Sequence, residues 1–143
     1  MSVAWIMSRH IITVGMDDQV RDARALLDQA RVHHLAVLDG GELVGILSDR
    51  DLLNATSPYC DTKYEHKRDG FLLDRRVHQI MTRHPVTVAP HTAVNEAAAV
   101  MLLRKVSCLP VVGDDGAVCG IVTWRDLLRY FMANAIQHGD HAA

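Results

Sequence analysis

The strongest constraint on this chain is that its sequence repeats itself, because residues 6–53 and residues 80–128 follow one pattern nearly end to end. A single inserted residue in the central turn of the second copy is the only shift needed to keep the two copies in register. The coincident positions include Met7/Met81, Arg9/Arg83, Thr13/Thr87, Leu35/Leu109, Gly45/Gly120 and the tetrapeptides at 50–53 and 125–128. Such a repeat predicts two copies of one supersecondary unit, related by a pseudo-twofold axis. A site built from one copy is therefore expected twice.

Each copy presents the same order of local signals. The predicted strands are residues 11–14, 35–38 and 43–47 in the first copy and 86–88, 109–112 and 118–122 in the second. Helical spacing follows Asp18 and Thr92, whose side-chain oxygens are predicted to cap a helix. Second helices are predicted to begin at Asp49 and Trp124. The result is an α+β fold of two β-α-β-β-α repeats, each too small to bury its sheet alone and therefore expected to pack sheet against sheet.

The same pattern sets the predicted domain boundaries. We expect the first repeat at 1–56, a charged connector at 57–76, the second repeat at 77–136 and a flexible tail at 137–143. Charges of both signs at 61–69 indicate a solvated connector, and residues 71–80 are predicted to form an amphipathic helix into the second repeat. The last helix carries a broad apolar side, with a counterpart at Leu52 and Leu53, and this predicts a homodimer formed through helices. That apolar side consists of Leu127, Leu128, Phe131 and Met132.

The composition and the motifs of the sequence argue against several classes of function. The 143 residues are 49% hydrophobic with a formal net charge of -2, which gives no reason to expect nucleic-acid binding. The sequence has no apolar run of the ~20 residues that a membrane helix needs and no signal-peptide pattern, so a cytoplasmic protein with no membrane contact is expected. Three cysteines without a CxxC predict neither a disulfide framework nor a zinc site. Nucleotide-hydrolysing, esterase and metalloprotease motifs do not occur, so we expect no enzyme and no metal centre.

The strand-to-helix junctions GILSDRD (45–51) and GIVTWRD (120–126), with IMTRHPVTV (80–88) and VSCLPVV (106–112), identify the family. These residues resemble a tandem pair of cystathionine-β-synthase (CBS) domains, a Bateman module, and the arrangement is similar to stand-alone bacterial CBS-pair proteins of the acetoin-utilisation type. The resemblance covers both repeats. It implies a regulatory module that binds an adenosine-containing ligand in clefts shared by the two repeats.

The residues at the two junctions can also be interpreted from their chemistry, apart from the resemblance. Ser48 with Asp51, and Thr123 with Asp126, stand three residues apart at a helix start and therefore face the same way. A carboxylate can accept hydrogen bonds from the two vicinal hydroxyls of a ribose, and the helix start with its arginine favours a phosphate. The alternative is that these residues are only helix caps.

Carried over by position, the resemblance implies two sites, each drawing on both repeats. The first combines Ser48, Arg50 and Asp51 with Met81, Val86, Ser107 and Cys108, and the second combines Thr123, Arg125 and Asp126 with Met7, Ile12, His33 and His34. The methionines, Val86 and Ile12 would form the apolar wall against adenine. His34 would either reach a phosphate, making the second site sensitive to pH near neutrality, or bond to backbone or water at the sheet edge.

These residues predict a non-enzymatic sensor with no obligatory cofactor and an unidentified protein partner. AMP, ADP or ATP is the first choice of ligand, with S-adenosylmethionine or NAD second. The alternative is a structural dimerisation module whose clefts are vestigial. The second site is expected to be the tighter one, with affinity rising from pH 8 to pH 6. Ile11 and Ala36, which replace Pro85 and Pro110 of the second copy, are expected to leave the first copy less rigid.

Overall fold

The computed structural model describes residues 1–55 and 72–139. The chain forms two compact units that do not coincide with the two sequence repeats. The continuous unit contains the described residues between Ile12 and Pro85, and the discontinuous unit joins Met1–Ile11 to the residues from Val86 onward. Each unit therefore holds the body of one repeat and the lead-in segment of the other, where the lead-in segments are residues 1–11 and 75–85.

The continuous unit is built on a four-stranded sheet. Its elements are β1 (Thr13–Gly15), α1 (Val20–Ala30), β2 (His34–Asp39), β3 (Glu42–Ser48), α2 (Asp49–Ala55), a 3₁₀ turn (Val77–Gln79) and β4 (Thr82–Arg83). The strand order is β1-β2-β3-β4, in which β1 runs parallel to β2 and the other pairs are antiparallel. The tight turn between β2 and β3 places Gly40 and Gly41 at φ 57° and 85°, in the left-handed region that glycine enters at least cost.

The discontinuous unit repeats this order with shorter pairings. It contains a 3₁₀ turn (Val3–Trp5), α3 (Val94–Arg104), β5 (Cys108–Val112), β6 (Val118–Thr123) and α4 (Trp124–Gly139). β5 and β6 are antiparallel. Single bridges flank them, a parallel one between Val88 and Val111 and an antiparallel one between Ser8 and Ile121.

Each unit has its own apolar core, and the lead-in segment of the other repeat belongs to it. The core of the continuous unit consists of Val14, Ala23, Leu27, Leu35, Val37, Leu47, Val77 and Met81. The core of the discontinuous unit consists of Val3, Val88, Val94, Ala97, Met101, Leu109, Val111, Val122 and Leu127. Val77 and Val3, which occupy equivalent places in the two lead-in segments, are both fully buried.

A glycine on the second strand of each hairpin receives the lead-in segment. A Cβ atom added at Gly45 would lie 2.6 Å from the Met81 sulfur and 2.9 Å from the Thr82 carbonyl oxygen. At Gly120 it would meet the Met7 sulfur and lie 3.0 Å from the Ser8 carbonyl oxygen. Because both contacts involve backbone, only glycine permits this close approach.

The predicted helix caps are wrong in detail. Asp18 accepts a hydrogen bond from the Gly15 amide at 2.8 Å, and Thr92 accepts one from the Ala89 amide at 3.1 Å. Both side chains therefore close the turn before the helix rather than its first turn. The N-cap residues are Gln19 and Ala93, without a side-chain cap.

The predicted helix over residues 71–80 is also wrong. Within the described part of this segment, residues 72–74 are helical, but Arg76 pairs with Gln19 and a 3₁₀ turn follows. The last helix ends at Gly139, three residues beyond the predicted end of the second repeat at 136. Most of the predicted connector and the last four residues of the predicted tail lie outside the described residues.

The α+β class and the two repeats are confirmed. The second repeat differs in having a single bridge where the first has the strand β1. The packing of sheet against sheet stays a prediction. None of the helices within residues 1–55 and 72–139 has the length and apolar character that crossing a bilayer requires.

Candidate functional site

The first junction, where β3 passes into α2, is closed by two reciprocal hydrogen bonds. The Ser48 amide donates to Asp51 Oδ2 at 2.9 Å, and the Asp51 amide donates to Ser48 Oγ at 3.1 Å. The helix therefore begins directly at the end of the strand, and the hydroxyl and carboxylate face each other across its first turn.

The second junction, where β6 passes into α4, has the same construction. The Thr123 amide donates to Asp126 Oδ2 at 2.9 Å, and the Asp126 amide donates to Thr123 Oγ1 at 3.5 Å. The Thr123 hydroxyl also donates to Asp126 Oδ2 at 3.2 Å. The predicted doubling of the junction is thus present in three dimensions, with each copy inside a separate unit.

These contacts show that both aspartates cap their own helices. Each capping contact engages only Oδ2 of the carboxylate, so the cap leaves Oδ1 for a ribose contact, although at Asp126 the Arg129 guanidinium lies 4.0 Å from Oδ1. Few backbone amides at the junction remain for an anion, however, because the Asp49 amide donates to the His33 carbonyl and the Trp124 amide to the Ser107 carbonyl, both at 3.1 Å. Recognition of a phosphate, if it occurs here, would therefore depend on the side chains of Arg50 and Arg125 more than on the helix start.

The two junctions differ at the residue that follows Ser48 or Thr123. In the first, Asp49 Oδ2 lies 2.8 Å from His33 Nδ1. In the second, Trp124 stands at this position and the Arg125 guanidinium carbon lies 5.7 Å from the centroid of its indole. Sequence analysis missed the pairing of His33 with Asp49, although β2 and β3 bring these two residues to one edge of the sheet.

The histidines predicted for the second site lie at the first junction within the continuous unit. His34 pairs with Ser48 across the two strands, and the equivalent Cys108 pairs with Thr123 in the other unit. Burial lowers the pKa of His34 below its ordinary value of 6.5; Asp49 and Asp51 oppose this shift, while His33 adds to it. His34 is therefore mostly neutral at pH 7, and a charged contact with phosphate is expected only at lower pH.

The remaining predicted residues divide between the two units. Met81 contacts the strand that leads to Ser48, and Met7 contacts the strand that leads to Thr123. Val86 packs on the core of the discontinuous unit and Ile12 on that of the continuous unit. The combination of residues from both repeats in one site stays a prediction.

A groove of about 660 Å³ opens beside the first junction, and sequence analysis did not anticipate it. Leu27 and Leu72 are buried in it, and Arg24, Asp28, Arg31, His33 and Asp49 bring charge or polarity. At the positions of Arg24, Asp28 and Asp49 the second repeat has Ala98, Leu102 and Trp124, so the corresponding surface carries fewer charged side chains.

Several known proteins of similar sequence and fold are CBS-domain proteins. Residues 3–57 and 77–133 match the CBS domain family. The chain is 37% identical over 128 residues to a CBS domain-containing protein of Dictyostelium discoideum, covering 88% of both chains. Some relatives are much longer, since the chain spans only 22% of an inosine-5'-monophosphate dehydrogenase of Korarchaeum cryptofilum, at 36% identity.

Solved CBS-pair structures share the fold over nearly the whole chain. CBSX2 from Arabidopsis thaliana, in complex with AMP, has a TM-score of 0.75 and 31% identity, covering 94% of this chain and 98% of that one. The CBS pair of protein MJ0100, in complex with 5'-methylthioadenosine and S-adenosyl-L-methionine, has a TM-score of 0.78 and 28% identity, with the same coverage. The acetoin utilization protein AcuB of Vibrio cholerae has a TM-score of 0.76 and 26% identity, covering 98% and 96%. Together with the duplicated junctions, these likenesses show that this chain belongs to the CBS domain family, as a tandem CBS pair.

Proposed function

We propose that this chain is a non-enzymatic regulatory module that binds an adenosine-containing ligand, with AMP, ADP or ATP as the first choice. The observation that carries the proposal is the duplicated junction, in which a hydroxyl and an aspartate take the same geometry in two separate units. CBS pairs of similar fold bind AMP in one case and 5'-methylthioadenosine with S-adenosyl-L-methionine in another. The ligand would occupy clefts shared by the repeats, and binding would be sensed by a protein partner.

The roles of the site residues follow from their chemistry. Asp51 and Asp126 would accept hydrogen bonds from ribose hydroxyls through Oδ1, since Oδ2 serves the cap. Arg50 and Arg125, both exposed, would bind a phosphate. Met81 with Val86, and Met7 with Ile12, would provide apolar contacts for adenine.

The competing function is a structural dimerisation module without a ligand, and two observations favour it. The capping bonds alone account for the hydroxyl and aspartate. In addition, α4 exposes an apolar stripe of Trp124, Leu128, Met132 and Ile136, each at least half exposed. Leu127, predicted to be part of this surface, is instead buried in the core of its own unit. We propose that the stripe joins two copies into a homodimer in either case.

The two functions are separated by replacing Asp51 and Asp126 together with asparagine. The amide oxygen of asparagine can still accept the capping bond, whereas the charge available to ribose is lost. We expect AMP affinity to fall about ten-fold or more, corresponding to ~1.5–3 kcal/mol for charge-assisted hydrogen bonds, with little change in stability. Titration calorimetry with AMP, ATP and S-adenosylmethionine measures this.

The control is Asp17→Asn together with Asp114→Asn, because these carboxylates are exposed and lie outside the junctions. No heat with any of the three compounds at millimolar concentration would leave the structural module as the function. Light scattering tests the homodimer separately, and a mass near 15.9 kDa at micromolar concentration would contradict it.

A further inference from the structure

Helices α3 and α4 contact each other and together present an apolar face to solvent. The exposed stripe on α4 is joined by Leu102 of α3, which is 81% exposed. The counterparts of Leu102 and Trp124 in the first repeat are Asp28 and Asp49. These two counterparts line a single groove, so Leu102 and the stripe belong to one surface. We call this surface the α3/α4 face, and it consists of Leu102, Trp124, Leu128, Met132 and Ile136.

The equivalent face of the first repeat, on α1 and α2, is charged. Its exposed charged side chains are Arg24, Asp28, Arg31 and Asp49. The α3/α4 face keeps only the counterpart of Arg31, which is Lys105 and lies beyond the end of α3. One chain therefore carries an apolar face and a charged face at equivalent places in its two repeats.

The apolar area is large enough for a stable contact between two copies. A typical specific interface buries about 800 Å² on each partner, and about 65% of a homodimer interface is apolar, which is roughly 500 Å². The five side chains of the α3/α4 face are 50–81% exposed and present roughly 100 Å² each. This face thus supplies the apolar area that a homodimer needs.

Charge limits what can cover the α3/α4 face. If it met the charged face of a second copy, Arg24, Asp28 and Asp49 would lose water against leucine and tryptophan side chains without gaining a partner, which is unfavourable. Against a second α3/α4 face, the charge to be kept in water is that of Lys105. Its long side chain can reach solvent from the end of α3. Complementarity therefore favours contact between two identical faces.

We propose that two copies associate through their α3/α4 faces, each meeting the same face of the other copy about a twofold axis. Such an isologous contact is self-complementary and closes after two copies. The inference rests on the homodimer proposed above and specifies its interface and its symmetry. It excludes the head-to-tail dimer, in which each α3/α4 face meets the charged face of the other copy. Because Trp124 begins α4, the contact borders the second junction of each copy.

Opposite charges introduced at one position test the symmetry. Leu128→Glu alone should weaken self-association at least ten-fold, because two like charges enter one contact. An equimolar mixture of Leu128→Glu and Leu128→Lys should form mixed dimers, because the two charges are then opposite. Native mass spectrometry identifies the mixed dimers, and analytical ultracentrifugation measures the dissociation constants.

Leu53 provides the matched control, because it occupies the position of Leu128 in the first repeat and is 71% exposed. Leu128→Glu should associate at least five-fold more tightly with Leu128→Lys than with Leu53→Lys. In a head-to-tail dimer this order is reversed. Leu102→Asp, which gives α3 the residue that α1 has at this position, is a second variant and should also weaken self-association at least ten-fold.

The possible failures are distinguishable. Tighter association of Leu128→Glu with Leu53→Lys, or unchanged self-association of Leu128→Glu and Leu102→Asp, overturns this inference and leaves the homodimer standing. A mass near 15.9 kDa for the unmodified chain at micromolar concentration overturns the homodimer and this inference with it. Adenosine binding is measured separately by calorimetry and stands or falls on that result.

Discussion

The first strands of the two repeats differ in how far they pair with the next strand. The difference does not follow the expectation that the repeat with prolines is the more ordered one. In the continuous unit, β1 pairs with β2 over three residues, and the Ala36 amide donates to the Ile12 carbonyl at 3.1 Å. In the discontinuous unit, Pro110 occupies the place of Ala36 and has no amide to donate, so only the bridge at Val88 remains. The repeat without prolines thus has the longer strand pairing. Local rigidity of one residue and continuity of a sheet are separate properties.

The largest effect on stability is expected from substitutions in the lead-in segments, which test the unit to which each segment belongs. Val3→Ala should destabilise the discontinuous unit by about 2 kcal/mol, because a fully buried valine loses two methyl groups and leaves a cavity. Hydrogen exchange should increase in residues 86–136 and less in residues 12–55. Val77→Ala is the matched variant and should produce the opposite distribution. The exchanged arrangement would be contradicted if Val3→Ala acted mainly on residues 12–55.

Exchanging the residues at the proline position should give the next largest effect. Ala36→Pro should destabilise the chain by about 1–2 kcal/mol, because it removes the bond to Ile12 inside a buried strand. Pro110→Ala should change stability by less than about 1 kcal/mol, since a possible new bond offsets the greater entropy of the unfolded chain. Denaturant unfolding of both variants measures this. A larger loss for Pro110→Ala than for Ala36→Pro would reverse the comparison.

A smaller effect is expected at the caps, where the two junctions should behave alike. Asp51→Ala and Asp126→Ala should each cost about 1 kcal/mol in the free energy of unfolding, because a bonded amide loses its acceptor. The asparagine variants should cost only a few tenths of a kcal/mol. Thermal unfolding without ligand compares the four proteins. Equal losses for alanine and asparagine would mean that the charge, not the cap, stabilises the helix.

The smallest effect should appear in the pH dependence, and only in the continuous unit. Since burial lowers the pKa of His34, the unfolded chain binds this proton more readily than the folded one below pH 6.5. Stability is then complete above pH 6.5 and falls as the pH decreases through the lower, folded pKa. His34→Gln should flatten this part of the stability curve between pH 7.5 and pH 5, and His91→Gln, at an exposed position, should not. Identical curves for both variants would remove His34 as the cause.

The repeat was sufficient to predict the fold class, the strand order within each hairpin and the start of the second helices. It was not sufficient to predict which hairpin receives which lead-in segment. Met7 and Met81 are identical, and so are Gly45 and Gly120, so either pairing satisfies the local pattern. The choice depends on the path of the whole chain, which a local pattern does not contain.

The site was predictable to a similar extent. The hydroxyl–aspartate pairs were found because their spacing alone places them in one helical turn. The pairing of His33 with Asp49 was missed because it joins residues from different elements through the sheet register. The errors at Asp18 and Thr92 have a local cause, since the same side-chain oxygen can bond an amide before or after it, and here it bonds the earlier one.

The exchanged lead-in segments also impose an order on synthesis. Residues 1–11 leave the ribosome before any other part of the two units, yet Ser8 pairs with Ile121 in β6. The continuous unit has all its residues once Pro85 has emerged, whereas the discontinuous unit remains incomplete until β6 has been made. Long-range pairing of this kind slows folding, because the intervening loop must close first. Until residues 86–122 have been made, Val3 lacks most of the core in which it is buried, so during synthesis the nascent chain carries an exposed apolar segment.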